Sequence, residues 1–435
     1  MPRDVQGRPI LATSMAATTG PVWLRVGTLL DGTSTRPRRD VHVVYDANGI
    51  RFVGRDDELP PRAMVRDGQA SPDVHAPDCT LLPGLIDAHV HLFLGGAELD
   101  AQRRAADVAR SPAELITDGA ARLQALARMG VVAVRDAGDK FGVGLALSRQ
   151  RAEGGTSFAS YVDSPGAAIH HEGRYGAFMA EPIEAHASLA GSVNARVAAG
   201  ADRIKLIATG ILNFKDTASR PKWQLTEHEV RELVDAARRS GRQTLAHASG
   251  DEGIDHVIDG GIDTVEHGFF VRDDQLSRMR DRRVAWVPTF APVQAQLDHA
   301  DLFGWGAALA PGIRGILDRH AESLCRAEHA GVMVIAGSDA GSGGVPHGIG
   351  LLRELELMEL AGMSAISVVN SATGVSADRL SFAERFGKIA AGYRSRFILT
   401  RHSPLATVMN LRSAKIVVFD DQAALSEPTG DATGL

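Results

Sequence analysis

Residues 83–92 read PGLIDAHVHL, an apolar run that carries Asp87, His89 and His91 at every second position. In an extended strand, side chains two residues apart point to the same face. Two imidazoles side by side at the end of a buried strand suit a divalent metal ion better than they suit a core. An H-x-H pair alone is weak evidence, so further ligands have to come from other segments of the chain.

The composition excludes several classes of protein. The chain has 435 residues, 44% hydrophobic and 23% charged, as in an ordinary globular protein with one large and one smaller domain. Its net charge of −6 gives no indication of a nucleic-acid or membrane partner. Cys79 and Cys325 are too few for a disulfide framework, and no apolar run reaches the ~20 residues of a membrane helix. We therefore predict a cytoplasmic protein whose partner is a small molecule.

The two ends of the chain differ from its middle. Residues 21–82 contain VWLRVGTLLDG and VHVVYDANGIRFVG, short β-type runs with Asp-Gly and Asn-Gly turn signals. Residues 385–420 return to β character, so we predict that both segments form one small composite β-sandwich domain. Residues 1–20 and 421–435 lack such patterns and are predicted to be a flexible leader and a flexible tail.

Residues 83–384 repeat one unit, in which a helix ends in glycine and a buried strand follows. RRSGRQTLAHASG and EHAGVMVIAGSDAG are two copies, and the helices between begin with capping boxes such as Ser111 with Glu114 and Thr226 with Glu229. Apolar strands that alternate with amphipathic helices indicate a parallel sheet covered on both faces. The strand candidates lie at 85–91, 131–136, 156–162, 203–209, 243–248, 262–267, 284–289 and 332–338.

Eight such units predict an α/β fold of the (β/α)8 TIM-barrel type. The alternative is an open doubly wound sheet. That fold usually shows an early glycine-rich phosphate loop, and GxGxxG is absent from the chain. We therefore predict a TIM barrel over residues 83–384.

In such a barrel the chemistry lies at the C-terminal ends of the strands. Six polar residues fall at those ends, on strands 1, 4, 5, 6 and 8: His89, His91, Lys205, His247, His267 and Asp339. Each alone has an ordinary explanation, since a strand-end histidine is often a packing residue and an aspartate often caps a helix. Because all six residues fall at strand ends of one predicted barrel, a shared function explains them better than six separate ordinary explanations.

These residue types suit a site with two divalent metal ions, Zn²⁺ being the first choice. A lysine ammonium would repel the ions, but a desolvated Lys205 can lose its proton and react with carbon dioxide, and the resulting carbamate can bridge two cations. Two metals acidify a shared water and polarise a carbonyl. Asp339 would bind one metal, take a proton from the bridging hydroxide as general base, and pass it to the leaving nitrogen.

The chain resembles the amidohydrolase superfamily over nearly its whole length. The motifs that carry the resemblance are PGLIDAHVH, VVAVRDAG, DRIKLIATG, HGIGLLRELELMELAGM and GKIAAGY. They are most similar to the binuclear branch that includes imidazolonepropionase-like sequences, Xaa-Pro and Arg/Lys dipeptidases and ochratoxinase-type enzymes. The resemblance also implies a homo-oligomer.

The resemblance implies a role for each ligand. It assigns the more buried metal to His89, His91 and Asp339. It assigns the second metal to His247 and His267, with carboxylated Lys205 as the bridge. Asp136 of VRDAG would support the ligands from behind, and its alternative is a helix cap.

Two departures from the group's pattern concern the substrate. Ile211 stands where the group usually has a glycine, and Ser249 of HASG stands where it usually has a histidine or tyrosine near the substrate. A donor that polarises the substrate carbonyl is therefore missing at Ser249.

The loop IHHEGRYG after strand 3 offers replacements. We predict that His171, or His170, is a catalytic residue that donates a hydrogen bond to the scissile carbonyl. Arg174 would meet a substrate anion, and Tyr175 would line the same site. His347 of PHGIG, just past strand 8, is a further candidate for the pocket wall, or it starts the next helix.

The leading hypothesis is a metal-dependent hydrolase of a carbon–nitrogen bond in an amide, a dipeptide or N-acyl amino acid, or a urea or carbamate. The alternative is a mononuclear deaminase of a nitrogen heterocycle on the same barrel, but such enzymes typically lack the bridging lysine. A third class is an inactive barrel that serves as a scaffold. Inactive relatives lose ligands, whereas this chain keeps all six.

Overall fold

Strands and helices alternate along the computed structural model, which describes residues 10–17, 20–55, 57–154 and 158–430. The strands are β1 (Val22–Leu29), β2 (Arg38–Asp46), β3 (Gly49–Arg55), β4 (Val74–Pro83), β5 (Leu85–Val90), β6 (Val131–Asp136), β7 (Tyr161–Asp163), β8 (Ala168–His170), β9 (Ala180–Pro182), β10 (Arg203–Ile207), β11 (Gln243–Ala248), β12 (Thr264–His267), β13 (Ala285–Val287), β14 (Arg396–Thr400), β15 (Lys415–Phe419) and β16 (Gln422–Ser426). The helices are α1 (Ile10–Met15), α2 (Ala101–Val108), α3 (Pro112–Arg128), α4 (Val143–Ala152), α5 (Leu189–Ala198), α6 (Glu227–Arg239), α7 (Asp251–Asp259), α8 (Asp273–Arg282), α9 (Phe290–Asp298), α10 (Gly306–Ala330), α11 (Ile349–Leu360), α12 (Ala365–Ser371) and α13 (Gly374–Leu380).

The larger domain is a TIM barrel. Parallel strands run in the orders β5-β6-β7 and β8-β10-β11-β12-β13. The segment 333–340 lies between the two ends of this series. Ile335 N donates to Trp286 O on the β13 side, and Asp339 N donates to His89 O on the β5 side. The eighth position of the barrel is therefore held by hydrogen bonds to both neighbours, and the prediction of a TIM barrel is confirmed.

The third strand differs from the predicted range 156–162. It consists of two short pieces, β7 and β8, and residues 155–157 lie outside the described part of the chain. β7 pairs with β6, whereas β8 pairs with β10. The interruption follows from Ser164, whose hydroxyl donates to Asp136 Oδ2 at the end of the neighbouring strand β6, and from the following Pro165, which has no N–H for a ladder.

The helices form the outer layer and begin where the sequence predicts. Capping boxes are present at Ser111 with Glu114 and at Thr226 with Glu229. The apolar stripe of α6 is fully buried and consists of Val230, Leu233, Val234 and Ala237. Each buried branched side chain contributes about 1.5–3 kcal/mol. None of the described helices, the 25-residue α10 included, is both long and apolar enough to cross a membrane.

The smaller domain is one seven-stranded sheet in the order β16-β15-β14-β4-β1-β2-β3. It combines strands from both ends of the chain, and Tyr45 packs edge-to-face on Phe397 with ring centroids 4.9 Å apart. We predicted a small composite β-sandwich domain from these two segments. Their strands form one continuous ladder, because the long strand β4 pairs with β1 on one side and with β14 on the other.

The predicted leader and tail are partly ordered. In the leader, α1 packs on the small sheet, Met15 is fully buried, and Tyr45 Oη donates to Met15 O at 2.7 Å. In the tail, residues 422–426 form the edge strand β16, and Thr429 N donates to Arg412 O. In both segments an apolar or β-type stretch packs against the small sheet. Residues 1–9 and 431–435 lie outside the described part of the chain.

Candidate metal centre and substrate cavity

His89, His91 and Asp339 form a compact group of ligand atoms at the C-terminal end of the barrel. Asp339 Oδ1 lies 3.7 Å from His89 Nε2 and 3.4 Å from His91 Nε2. One ligand atom from each residue lies within 4.8 Å of the other two, so this group could hold a metal ion. The pairing of β5 with the segment 333–340 produces this approach, since Asp339 and His89 are hydrogen-bonded through their backbones.

His247, His267 and Lys205 lie beside this group. The rings of His247 and His267 have centroids 4.5 Å apart, and the ring of His267 lies 5.1 Å from that of His89. Lys205 is 1% exposed and lines the same cavity as the four histidines. The six residues predicted as metal ligands therefore converge at one place.

Each imidazole has one nitrogen hydrogen-bonded away from the others, which leaves the second nitrogen for a ligand. The occupied nitrogens are His89 Nδ1 with Glu266 Oε2 at 2.6 Å, His91 Nδ1 with Gly138 O at 3.2 Å, His247 Nε2 with Gly210 O at 3.1 Å, and His267 Nδ1 with Thr289 Oγ1 at 2.7 Å. Carbonyl and carboxylate oxygens only accept, so in the first three pairs the ring nitrogen carries the proton. The free nitrogens are His89, His91 and His267 Nε2 and His247 Nδ1, and this donor set fits a divalent metal.

Burial sets the charge states of these groups. Desolvation, followed by the charge of Lys205, lowers the pKa of His91 to about 3 and that of His247 to about 4. Both imidazoles are therefore neutral at physiological pH, the form that binds metals. Burial also lowers the pKa of Lys205 to about 8 and raises the pKa of Asp339 to about 7.

A buried ion pair supports His89 from behind, and the sequence reading missed it. Glu266 is fully buried, accepts from His89 Nδ1, and accepts two hydrogen bonds from Arg135 Nη2 at 2.8 Å. Arg135 also donates to Thr264 Oγ1 and Ala88 O. The available signal was a charged residue in each of two apolar strands, VVAVRD and TVEH. Which charges pair is decided by the barrel, because β6 and β12 are not neighbours in the sheet.

Asp136 hydrogen-bonds to the backbone beside His91, and it does not cap a helix. Its Oδ1 accepts from Leu92 N, the residue after His91, and its Oδ2 accepts from Ser164 Oγ and Gly138 N. The helix-capping role belongs to Asp139, which accepts from backbone N–H groups at the start of α4. Asp136 therefore holds the backbone on both sides of the His91 imidazole.

Three residues of the site have a left-handed backbone. The φ angles are 69° at His267, 52° at Thr289 and 54° at Asp339. Such angles cost non-glycine residues of order 1 kcal/mol each and tend to occur at functional sites. The strain is retained where His267 and Thr289 bond to each other and where Asp339 meets the histidines.

Above the six residues lies a cavity of about 290 Å³. Its walls are mainly apolar, and the side chains that form them include Leu94, Phe178, Met179, Ile207, Ile211, Leu212, Phe214, Phe269, Pro292 and Val293. Tyr175 and Ser249 also line it. With Ile211, they are three of the residues predicted to contact the substrate. Tyr175 packs against His247 with ring centroids 5.4 Å apart.

His171 and Arg174 do not line this cavity, contrary to our prediction. Both ring nitrogens of His171 bond to carboxylates outside the barrel, Nδ1 to Glu184 at 2.7 Å and Nε2 to Glu229 at 3.1 Å. Arg174 is exposed and lines a separate surface cleft with Arg220 and neighbouring residues. The loop turns between His171 and Tyr175, so only Tyr175 of this stretch faces the metal site.

His170 and His347 are also absent from the cavity wall. His170 is 2% exposed at the end of β8, where it pairs with Pro182 of β9. His347 Nε2 donates to Leu94 O at 2.9 Å and fixes the loop after β5. Both predictions failed because sequence position near a strand end does not specify the direction of a side chain.

Arg104 of α2 lines the cavity and was not predicted. The signal for it was weak, since AQRRAADVAR reads as an ordinary charged helix. Its position depends on contact with the loop after the eighth strand position, where Arg104 Nη2 donates to Gly341 O at 3.0 Å.

Fold and site together define a protein of the TIM-barrel class with a ligand group that could hold a metal ion at the C-terminal end of the barrel. The amidohydrolase family profile matches residues 80–422, and the chain belongs to the amidohydrolase family. It is an enzyme that acts on carbon–nitrogen bonds.

Individual relatives are distant. An uncharacterised protein of Mycobacterium tuberculosis is 26% identical over 333 residues, which cover 74% of this chain and 82% of that protein. The ochratoxinase of Aspergillus niger is 24% identical over 440 residues, covering 95% of this chain and 88% of that enzyme. The crystal structure of a Xaa-Pro dipeptidase with bound methionine superposes with a TM-score of 0.77 at 23% identity, covering 93% of this chain and 99% of that one.

Proposed function

We propose that this enzyme hydrolyses the C–N bond of a small amide, of a dipeptide or N-acyl amino acid, or of a urea or carbamate, at a site with two divalent metals. The observation that carries the proposal is the convergence of His89, His91, Lys205, His247, His267 and Asp339 below an apolar cavity of about 290 Å³. That volume suits a small substrate. Relatives named ochratoxinase and Xaa-Pro dipeptidase are consistent with it.

Lys205 is the residue that favours two metals over one. Lys205 is 1% exposed and lies on β10, next to the strand that carries His247, where its ammonium would repel a cation. We propose that it is carboxylated and bridges two ions, with Zn²⁺ as the first choice. His89, His91 and Asp339 would hold one ion, and His247 and His267 the other. When bound, the metals supply an acidified water and a polarised substrate carbonyl.

The chain's own residues handle the proton and the substrate. Asp339 Oδ accepts a proton at the ligand cluster and passes it to the departing nitrogen, since its carboxylate lies within 4 Å of the Nε2 atoms of both His89 and His91. Tyr175 Oη donates a hydrogen bond to the substrate carbonyl from the His247 side, the role that we had given to His171. Phe178, Ile211 and Phe214 exclude water from the bound substrate.

A screen of dipeptides, N-acyl amino acids and aryl ureas with the zinc-loaded enzyme tests the proposal. Turnover of at least one class, abolished by a chelator and restored by added metal, is the expected result. Release of ammonia from a nitrogen heterocycle, without cleavage of any amide, would instead establish the deaminase.

Lys205→Ala is expected to lower the metal content from two ions per chain to one or fewer, and to reduce kcat by about 10³-fold or more, because the bridge between the sites is lost. Elemental analysis and steady-state kinetics measure both. Lys222→Ala, outside the metal site, is the control and keeps both ions. A fully active Lys205→Ala enzyme with one ion per chain would contradict the binuclear proposal.

Tyr175→Phe is expected to reduce kcat/KM by about 10²-fold, since it removes one hydrogen bond to the developing oxyanion. His171→Ala should change kcat/KM by less than about threefold, because both ring nitrogens of His171 bond to carboxylates that do not line the cavity, those of Glu184 and Glu229. Comparison of the two variants shows whether Tyr175 or His171 donates the hydrogen bond to the substrate carbonyl. The reverse order of effects would restore the sequence-based assignment to His171.

The homo-oligomer and the cytoplasmic location implied by the sequence stay predictions. Light scattering of the purified enzyme and fractionation of cells test them.

A further inference from the structure

The cavity wall next to Asp339 carries one cation that the proposed chemistry does not use. Arg104 lies on α2, which follows strand β5, and its guanidinium is held in place by two backbone carbonyls. Nη1 donates to Glu98 O at 3.1 Å and Nη2 donates to Gly341 O at 3.0 Å. Gly341 is two residues beyond Asp339, so this contact fixes Arg104 to the segment that carries the proposed acid.

The charge of Arg104 is not neutralised by an ion pair. Among the described residues, no carboxylate lies within 4.0 Å of its guanidinium, whereas the adjacent Arg103 pairs with Glu98 and Asp100. Arg104 is only partly exposed, and burial lowers its pKa from the usual value, although a guanidinium remains charged. A half-buried, positioned and unpaired cation with free N–H groups on a cavity wall is suited to bind an anion.

The walls of the cavity differ on its two sides. The chain after β5 supplies Leu94 and, on α2, Arg104, and the loop after Asp339 supplies Ser342 and Gly343. The loops across the barrel, after β8 and β10, supply apolar side chains, among them Phe178, Ile211 and Phe214. A Cβ at Gly343 would lie 3.2 Å from the Phe303 ring and 3.8 Å from the guanidinium carbon of Arg104, so the backbone of Gly343 lies beside the cation.

We infer that Arg104 is the specificity residue that binds an anionic group on the amine half of the substrate. The inference rests on the proposed function, in which Asp339 gives its proton to the departing nitrogen. The amine half then leaves on the Asp339 side, where Arg104 lies, and the acyl half occupies the apolar side. In an α-amino acid the carboxylate carbon is separated from the scissile nitrogen by one carbon atom. The expected substrate therefore has an apolar acyl group on an amine that carries a carboxylate, in preference to a neutral urea.

Matched substrates test this assignment. The wild-type enzyme, Arg104→Met and Arg104→Lys are assayed on an N-acyl amino acid and on its neutral carboxamide, which differs only in the anion. Arg103→Met, whose side chain is 74% exposed and outside the cavity, is the control. Thermal unfolding of each variant verifies that it is folded.

The expected result is a fall in kcat/KM of about 10- to 100-fold for Arg104→Met on the carboxylate substrate, mainly through KM, because a charge-assisted hydrogen bond is lost. Activity on the carboxamide should stay within about threefold, and Arg104→Lys should recover part of the loss. Arg103→Met should behave like wild type on both substrates.

Two results would count against the inference in different ways. Equal losses for Arg104→Met on the two substrates would overturn the role of Arg104 while leaving the hydrolase intact. A metal-loaded wild-type enzyme that cleaves no C–N substrate of any class would overturn the proposed function itself.

Discussion

Asp339→Asn is expected to reduce kcat by about 10²- to 10⁴-fold, with KM changed by only a few-fold. Asparagine keeps an oxygen that can act as a ligand beside His89 and His91, but it cannot accept and return a proton. The loss therefore falls on the chemical step. Steady-state kinetics on the best substrate from the screen, together with elemental analysis of the same preparation, measure it.

Metal content separates the two roles of Asp339. A variant that retains both ions and loses kcat supports proton transfer by this carboxylate. Asp87→Asn is the comparison, because Asp87 is buried behind the cavity, where it accepts from Ser338 N at 2.9 Å and from Ser338 Oγ. It should lower stability more than kcat. Equal kcat values for Asp339→Asn and wild type would contradict the assignment.

Arg135→Met is expected to lower the free energy of unfolding by about 3–5 kcal/mol, because it leaves the Glu266 carboxylate buried without its cation. Arg135 and Glu266 are 1% and 0% exposed, so no water replaces the lost partner. Urea denaturation of metal-free protein measures the change, and removal of metal excludes stabilisation by bound ions. Metal affinity should also fall, since Glu266 orients His89.

Two further variants test whether the cost comes from the unpaired charge. The double variant Arg135→Met/Glu266→Gln should recover part of the lost stability, which a double-mutant cycle quantifies. Arg231→Met breaks an ion pair with Glu227 in which both side chains are about half exposed, and it should cost less than about 1 kcal/mol. Similar losses of stability for Arg135→Met and Arg231→Met would show that burial of an ion pair does not raise the cost of breaking it.

The sequence by itself determined the barrel, all but the third of its strands and the residues that meet at its rim. Local patterns carry that information. Glycine after most of the barrel helices, capping boxes such as Thr226 with Glu229, and apolar strands are read within a few residues. The barrel rule then places the strand ends together, so His89 and Asp339 could be predicted as neighbours although 250 residues separate them.

Only the tertiary structure decided which side chains face the substrate and which charges pair inside the barrel. His171 and Tyr175 belong to the same short loop, yet only Tyr175 turns to the cavity. Arg104 reaches the site through a contact with Gly341 that spans 237 positions, and Arg135 meets Glu266 across 131. The small sheet likewise includes or packs against segments at both ends of the chain in which the sequence shows no clear pattern, α1 and β16. The physical reason is that periodicity reports which face of an element is apolar, whereas the direction of a loop side chain depends on partners that folding brings from distant segments.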